Sequence, residues 1–286
     1  MVSSDQTVRP PTALCWGTMP RATFPELVHA AGVAGFDAVT ISPALHLAIA
    51  DDDGTQARRV LDAAGVRVAV VDPLIRPLPG VPPLSQVAAE HRPFLEPSLA
   101  DVLRLAEATG AESVNLAHFL GRAVTVERLA EAIGTVAEAA AEVGCQVSLE
   151  FIPDTGVPDL ATARAIVRAV AATNLGIMVD SWHLARAGED PSDVAAADRG
   201  SITGVQLCDR RPPIPGEPYV PMAGRLLPGD GELPLLDLVD AVLGIAPDIT
   251  FGIEVFDVDL AAGPAVDSAA KAFAALTSVL PGRAAT

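Results

Sequence analysis

The chain has 286 residues, of which 50% are hydrophobic and 19% charged, with a formal net charge of −17. So apolar a composition supports a large core and excludes a disordered chain. The acidity opposes an electrostatic nucleic-acid footprint, and no apolar run reaches the roughly 18 residues of a membrane span.

The length suits one (β/α)8 barrel, which needs roughly 250 residues. The start, "MVSSDQTVRPPT", lacks the apolar centre of a secretory signal. A cytoplasmic protein is therefore expected, with residues 1–11 as a flexible arm and residues 12–286 as a single barrel domain. Cys15, Cys145 and Cys208 are far apart and lie in apolar runs, so they read as buried free thiols. Lys271 is the only lysine and sits in a helical stretch, which argues against chemistry through a lysine Schiff base.

Apolar runs of four to seven residues alternate with stretches of helical period along the whole chain, the signature of βαβ units. Strands are predicted near Ala13–Trp16, Ala38–Ser42, Arg67–Val71, Ser113–Ala117, Gln146–Phe151, Gly176–Asp180, Gly204–Cys208 and Thr250–Val255. A helical segment follows each. The first, "TFPELVHAAGVAG", opens with Thr23 and Glu26 in capping-box spacing. The second, "TQARRVLDAAG", ends in a glycine stop. Eight strands with eight helices imply a closed α/β barrel. An open doubly wound sheet is the competing fold, and the absence of a glycine-rich phosphate loop after the first strand disfavours it. Two connections are long and proline-rich, 72–97 and 210–228. Both fall on the side where barrel active sites lie, and loops of this length are often lids or binding loops.

The last four strands each carry an acid or amide within an apolar run. Strand five ends at Glu150 and strand six at Asp180. Strand seven holds Gln206 and Asp209, and strand eight holds Glu254. Burying one unpaired carboxylate costs several kcal/mol, and several aimed at one point would repel one another. A divalent cation removes that cost, so Glu150, Asp180, Gln206 and Glu254 are candidate metal ligands. Oxygen-rich ligation suits Mn²⁺ best, then Mg²⁺ or Co²⁺, with Zn²⁺ less favoured. The other reading pairs each acid with an arginine, for which Arg210, Arg211 and Arg225 are the partners at hand. Trp16 and Trp182 stand at strand ends, as apolar pocket walls or as core.

Acids closing strands five, six and eight, the Asp180–His183 "DxxH" and "GRLLPGDGELPL" after strand seven resemble the sugar phosphate isomerase/epimerase group. That group shares the xylose isomerase-like barrel with inosose dehydratases, 3-dehydroshikimate dehydratases and endonuclease IV. The resemblance spans nearly the whole chain. Its usual ligands are Glu, Asp, His and Glu, so Gln206 departs from the histidine and looks more like the dehydratase-type members. The resemblance implies that His183 contacts substrate or moves a proton, and that Arg225 meets a substrate oxygen. His118, after strand four, is a second pocket candidate, and His91 in the first long loop is a third.

Together these readings imply a metal-dependent isomerase or epimerase of a sugar or keto-sugar. Glu150 and Glu254, with His183, would move protons through an enediolate. The alternative is a dehydratase of a keto-cyclitol or dehydroshikimate-like substrate. The expected partner is a small polyhydroxylated ketone, with no nucleic acid and no membrane. Barrels of this group often associate, so a homo-oligomer is an option, although no interface is readable.

Overall fold

The structure is a computed structural model that describes residues 9–51, 54–212, 214, 216 and 223–282. Eight parallel strands close into a barrel in chain order. They are β1 (Thr12–Leu14), β2 (Ala38–Ile41), β3 (Arg67–Leu74) and β4 (Ser113–Ala117). β5 (Gln146–Glu150), β6 (Leu175–Asp180), β7 (Ile202–Leu207) and β8 (Phe251–Ile253) complete it. Every predicted strand is present. An addition not foreseen is a two-stranded antiparallel ribbon, Asp209–Arg210 against Arg225–Leu226, at the base of the second long loop.

The two faces of each strand differ in a way that follows from the period-2 alternation of side chains. Leu149, Ile177, Val179, Val205, Leu207, Phe251 and Ile253 are buried in the main core. The alternate positions carry small or polar residues instead. Ala13, Ala38, Ala69, Val70 and Met178 form a separate small cluster. Gly204 and Gly252 leave no side chain at all, and a Cβ on Gly204 would meet Met178 Sδ at 2.6 Å. Barrel interiors are usually filled by bulky branched residues. Here small ones leave a cavity of about 530 Å³, lined by Ala13, Ala69, Gly204, Gly252 and the amino-terminal strand ends. Its lining includes Glu112, Arg199, Asp248 and Gln206, whereas Asp72, Glu150, His183, Arg225 and Glu254 line a second cavity at the other end of the strands.

Local signals set the helices. Thr23 and Glu26 form the expected capping box on the helix Phe24–Ala34. The helix Thr55–Ala64 stops at Gly65, whose φ of 66° a side chain would resist. The first long connection is largely ordered: β3 runs on to Leu74, and a short helix spans Arg92–Leu95. Ile75, Val87 and Leu95 pack with Ala117 as a satellite core under it. In the second connection, residues 213, 215 and 217–222 lie outside the described residues, as do residues 1–8 of the expected arm. Arg9, within that arm, bonds Asp37 and the carbonyl of Gly35. All three cysteines are buried and free. Among the described residues no helix is long and apolar enough to cross a membrane.

Candidate active site

At the carboxyl ends of the strands a cavity of about 430 Å³ opens, within the range for small-molecule sites. Asp72, Glu150, His183, Arg225 and Glu254 line its floor. Strand register explains why they meet. Asp180 pairs with Gln206, and Gln206 with Gly252, two residues before Glu254 on the same face. Glu150, Asp180, Gln206 and Glu254 are all at most 6% exposed.

Asp180 has two tasks. Its Oδ1 caps the short helix Ser181–Ala187, accepting from the backbone N–H of Trp182 at 2.7 Å. Its Oδ2 accepts from Arg225 Nη1 at 2.7 Å. The helical turn that starts at Asp180 also returns His183 to the floor, with Nε2 3.4 Å from Glu150 Oε1. Arg225 Nη1 stands 3.6 Å from Glu254 Oε2, so one guanidinium lies between two acids. Gly17 permits the close packing on the far side, because a Cβ there would come within 2.9 Å of Glu254 Oε1.

Two residues that the sequence reading missed complete the floor. Asp72 is buried and accepts from Trp16 Nε1 at 3.2 Å, Asn115 Nδ2 at 2.8 Å and Gln206 Nε2 at 3.2 Å. Asn115 also donates to Glu150 Oε2 at 2.8 Å, so its amide bridges two carboxylates. The signal for both was present. "VAVVDPL" and "SVNLA" are apolar runs interrupted by one polar residue, as in the last four strands. Ending strand three at Val71 had placed Asp72 in a loop.

Burial raises the Glu150 carboxyl well above its ordinary pKa, and repulsion from Asp72, Asp180 and Glu254 adds to the rise. Burial also lifts Glu254, more than the Arg225 charge lowers it. Asp72 is raised for the same first reason, against the hydrogen bonds it accepts. Burial would raise Asp180 too, but Arg225, His183 and its hydrogen bonds outweigh it and hold it low. Burial pushes His183 down to about 4, so its imidazole is neutral.

The other expected residues fall in different places. Trp16 lines the cavity and also anchors Asp72. Trp182 packs behind Arg225, its ring 5.7 Å from the guanidinium carbon. His118 is fully buried and absent from the cavity wall: Nε2 faces the Pro79 carbonyl at 2.8 Å, and Nδ1 accepts from Gly156 N–H at 2.9 Å. It ties the loop after β3 to the loop after β5. His91 does reach the cavity, edge-on to Phe119. Asp209 organises the turn beyond β7, accepting from Gly229 and Leu233 backbone N–H groups.

The floor fits a divalent cation. Glu150, Asp180 and His183 each present a donor atom, all within 4.8 Å of one another. Gln206 turns its amide nitrogen to Asp72, while its Oε1 is buried without a hydrogen-bond partner. A buried acceptor left bare on an amide that bonds Asp72 is a place for positive charge. Two of the expected ligands, Glu150 and Asp180, stand in the closest group. His183, expected at the substrate, is its third member.

No curated protein sequence matches the chain. Solved structures do. A xylose isomerase-like TIM barrel/4-hydroxyphenylpyruvate dioxygenase fusion protein superposes with a TM-score of 0.78 at 20% identity, over 95% of this chain and 43% of that one. The chain thus spans under half of that longer protein. The IolI protein with a bound zinc atom gives 0.79 at 16% identity, covering 94% of this chain and 97% of that one. The probable 3-DHS dehydratase AsbF of Bacillus anthracis gives 0.68 at 16% identity, covering 93% and 98%. D-psicose 3-epimerase, solved with D-fructose, gives 0.69 at 15% identity, covering 94% and 97%. At these identities the likenesses speak for the fold. With the family model matching residues 26–279, the chain belongs to the xylose isomerase-like TIM barrel family.

Proposed function

We propose that the protein is a divalent-metal-dependent isomerase or epimerase of a keto-sugar or related hydroxylated ketone, acting through an enediolate. The carrying observation is that Glu150, at the end of β5, and Glu254, directly after β8, face one cavity with carboxyls held above their ordinary pKa. Glu150, Asp180, Gln206 and Glu254 would hold the cation, with His183 close by. When bound, the cation supplies Lewis-acid polarisation of the substrate carbonyl. Mn²⁺ is the proposed ion, because the donors are mainly oxygen. The zinc in the IolI structure supports a divalent ion in this fold without selecting one.

The chain's own groups do the rest. One glutamate takes the proton beside the carbonyl, and the other returns one at the neighbouring carbon or on the opposite face. The neutral His183 ring, against Glu150, orients that carboxylate and shares its proton. Arg225 has a buried Nε–H without a partner, which can donate to a substrate oxygen.

A second reading is a dehydratase, and one observation favours it. Asp72 is a third acid on the floor, positioned to protonate a leaving hydroxyl. The probable dehydratase among the similar structures is compatible with this exit.

The test is incubation with ketohexoses, keto-cyclitols and 3-dehydroshikimate in D₂O with Mn²⁺. Deuterium entering beside the carbonyl, seen by NMR, reports enolisation. A new ultraviolet band reports a conjugated dehydration product. Calorimetry that detects no Mn²⁺ binding would overturn both readings.

A further inference from the structure

Above its acidic floor the cavity becomes apolar. Its walls are Trp16, Ile75, Phe94, Phe119, Ile152 and Phe256. Phe94 and Phe256 flank Trp16, with ring centroids 5.5 and 5.6 Å away. The whole chain has eight phenylalanines and two tryptophans, so three of the eight and one of the two gather at one cavity. Phe94, Phe119, Ile152 and Phe256 are only half-buried, which leaves ring and methyl surface for a ligand.

The polar groups on the cavity walls are Asp154, which adds to the acidity, Thr155 and His91. The Thr155 hydroxyl already donates to the Ile152 carbonyl and accepts from Val157 N–H. The His91 ring stands edge-on to Phe119 at 5.3 Å. Arg225 is the one arginine lining the cavity among the described residues, and it is bonded to Asp180 and set beside Glu254. A substrate carboxylate or phosphate would therefore face an excess of acids, with the charge of Arg225 already set between Asp180 and Glu254. A free polyol would lay many of its hydroxyls against hydrocarbon, which costs free energy for each one left unpaired.

The rim carries a strained residue. Gly121 N–H donates to the His118 carbonyl and closes a turn that puts Leu120 at φ 60°. That position normally carries Gly or Asn. His118 fixes the turn through its bonds to Pro79 and Gly156, and a Cβ on Gly121 would collide with its ring. The clamp thus holds a leucine in a left-handed backbone at the mouth of the cavity, where it is 39% exposed. Such strain persists where the surroundings over-determine it, often at ligand sites.

We propose that the substrate is an uncharged cyclic α-hydroxyketone bearing an apolar substituent, planar or alkyl. The hydroxyketone end meets the acidic floor. The substituent lies between the Trp16–Phe94–Phe256 wall and Phe119–Ile152, with Leu120 closing over it as a specificity-determining residue. This rests on the enolising reading of the floor.

Three matched probes test it with the Mn²⁺-supplemented full chain: 2-hydroxycyclohexanone, its 4-phenyl derivative and its 4-carboxylate derivative. Calorimetry measures affinity, and deuterium exchange beside the carbonyl measures enolisation. The phenyl ketone should bind at least about tenfold more tightly than the parent, and the carboxylate more weakly. Leu120→Gly and Leu120→Asn both suit the turn and should keep or raise thermal stability, and both should shrink the phenyl-to-parent affinity ratio. Exchange on the parent and phenyl ketones at equal affinity overturns the inference and leaves the reaction standing. The carboxylate binding tightest also overturns it. A phenyl preference without exchange on any probe removes the enolising reading and, with it, the hydroxyketone class.

Discussion

Replacing Gln206 with leucine separates a metal ligand from a packing amide. In the metal-free protein the change has two opposed effects. It removes the Nε2 donor 3.2 Å from Asp72 Oδ2, and a hydrogen bond to a charged group contributes about 1.5–3 kcal/mol. It also removes Oε1, a buried acceptor without a partner, which costs about 1–3 kcal/mol while it stays bare. The two nearly cancel, so with chelator the stability of Gln206→Leu should stay within about 2 kcal/mol of wild type. With Mn²⁺ the cancellation ends, because Oε1 is then a ligand. The variant should bind Mn²⁺ at least about tenfold more weakly, about 1.4 kcal/mol. The stabilisation that saturating Mn²⁺ confers should fall by a similar amount. Calorimetric titration and paired melts, with chelator and with Mn²⁺, read both quantities. Gln206→His restores a ligand and should raise zinc affinity relative to manganese. Equal Mn²⁺ affinity for wild type and Gln206→Leu would remove Gln206 from the centre.

Glu150→Gln and Glu254→Gln should each lower turnover by about a hundredfold or more while keeping a cooperative melt; either variant retaining more than about a tenth of activity contradicts the proton-transfer role. Arg225→Met should destabilise the metal-free protein by about 3–5 kcal/mol in chemical denaturation, since it strips the buried cation from Asp180 and Glu254. A loss under about 1 kcal/mol would show that this pairing contributes little. The pH dependence of metal-free stability has a definite sign. Glu150, Glu254 and Asp72 have raised carboxyls, so above the ordinary carboxylate range the folded state binds more protons than the unfolded one. Stability therefore falls as pH rises from that range through the folded values. Asp180, held low, works the other way, but only as pH drops through its own lowered value. Below about pH 6.5 the lowered imidazoles of His183, His46 and His118 oppose this, because they take up protons only on unfolding. Melting temperature should therefore decline above about pH 7 with chelator and flatten with Mn²⁺; a metal-free curve that rises above about pH 7 contradicts the assignment.

Local pattern in the sequence was enough for the barrel. Eight apolar runs at βα spacing located all eight strands, because side-chain period and turn chemistry are properties of neighbouring residues. The same alternation exposed Glu150, Asp180, Gln206 and Glu254 as polar residues on inward faces. What the sequence did not display is which inward residues touch. Asn115 bridges Asp72 and Glu150 across positions 43 and 35 residues away. Arg225 reaches Asp180 from 45 residues off. Such contacts arise from closure of the barrel and the shift in register between β3 and β4, which carries Asp72 onto the floor. His118 shows the same division. Its place after an apolar strand matched a site residue, yet Gly121 and Gly156, brought against its ring by the fold, seal it into a loop clamp. Sequence decided which faces look inward, since that follows from a two-residue period. Tertiary structure decided the partners, since charge, burial and hydrogen bonding act through space between strands that the chain itself keeps far apart.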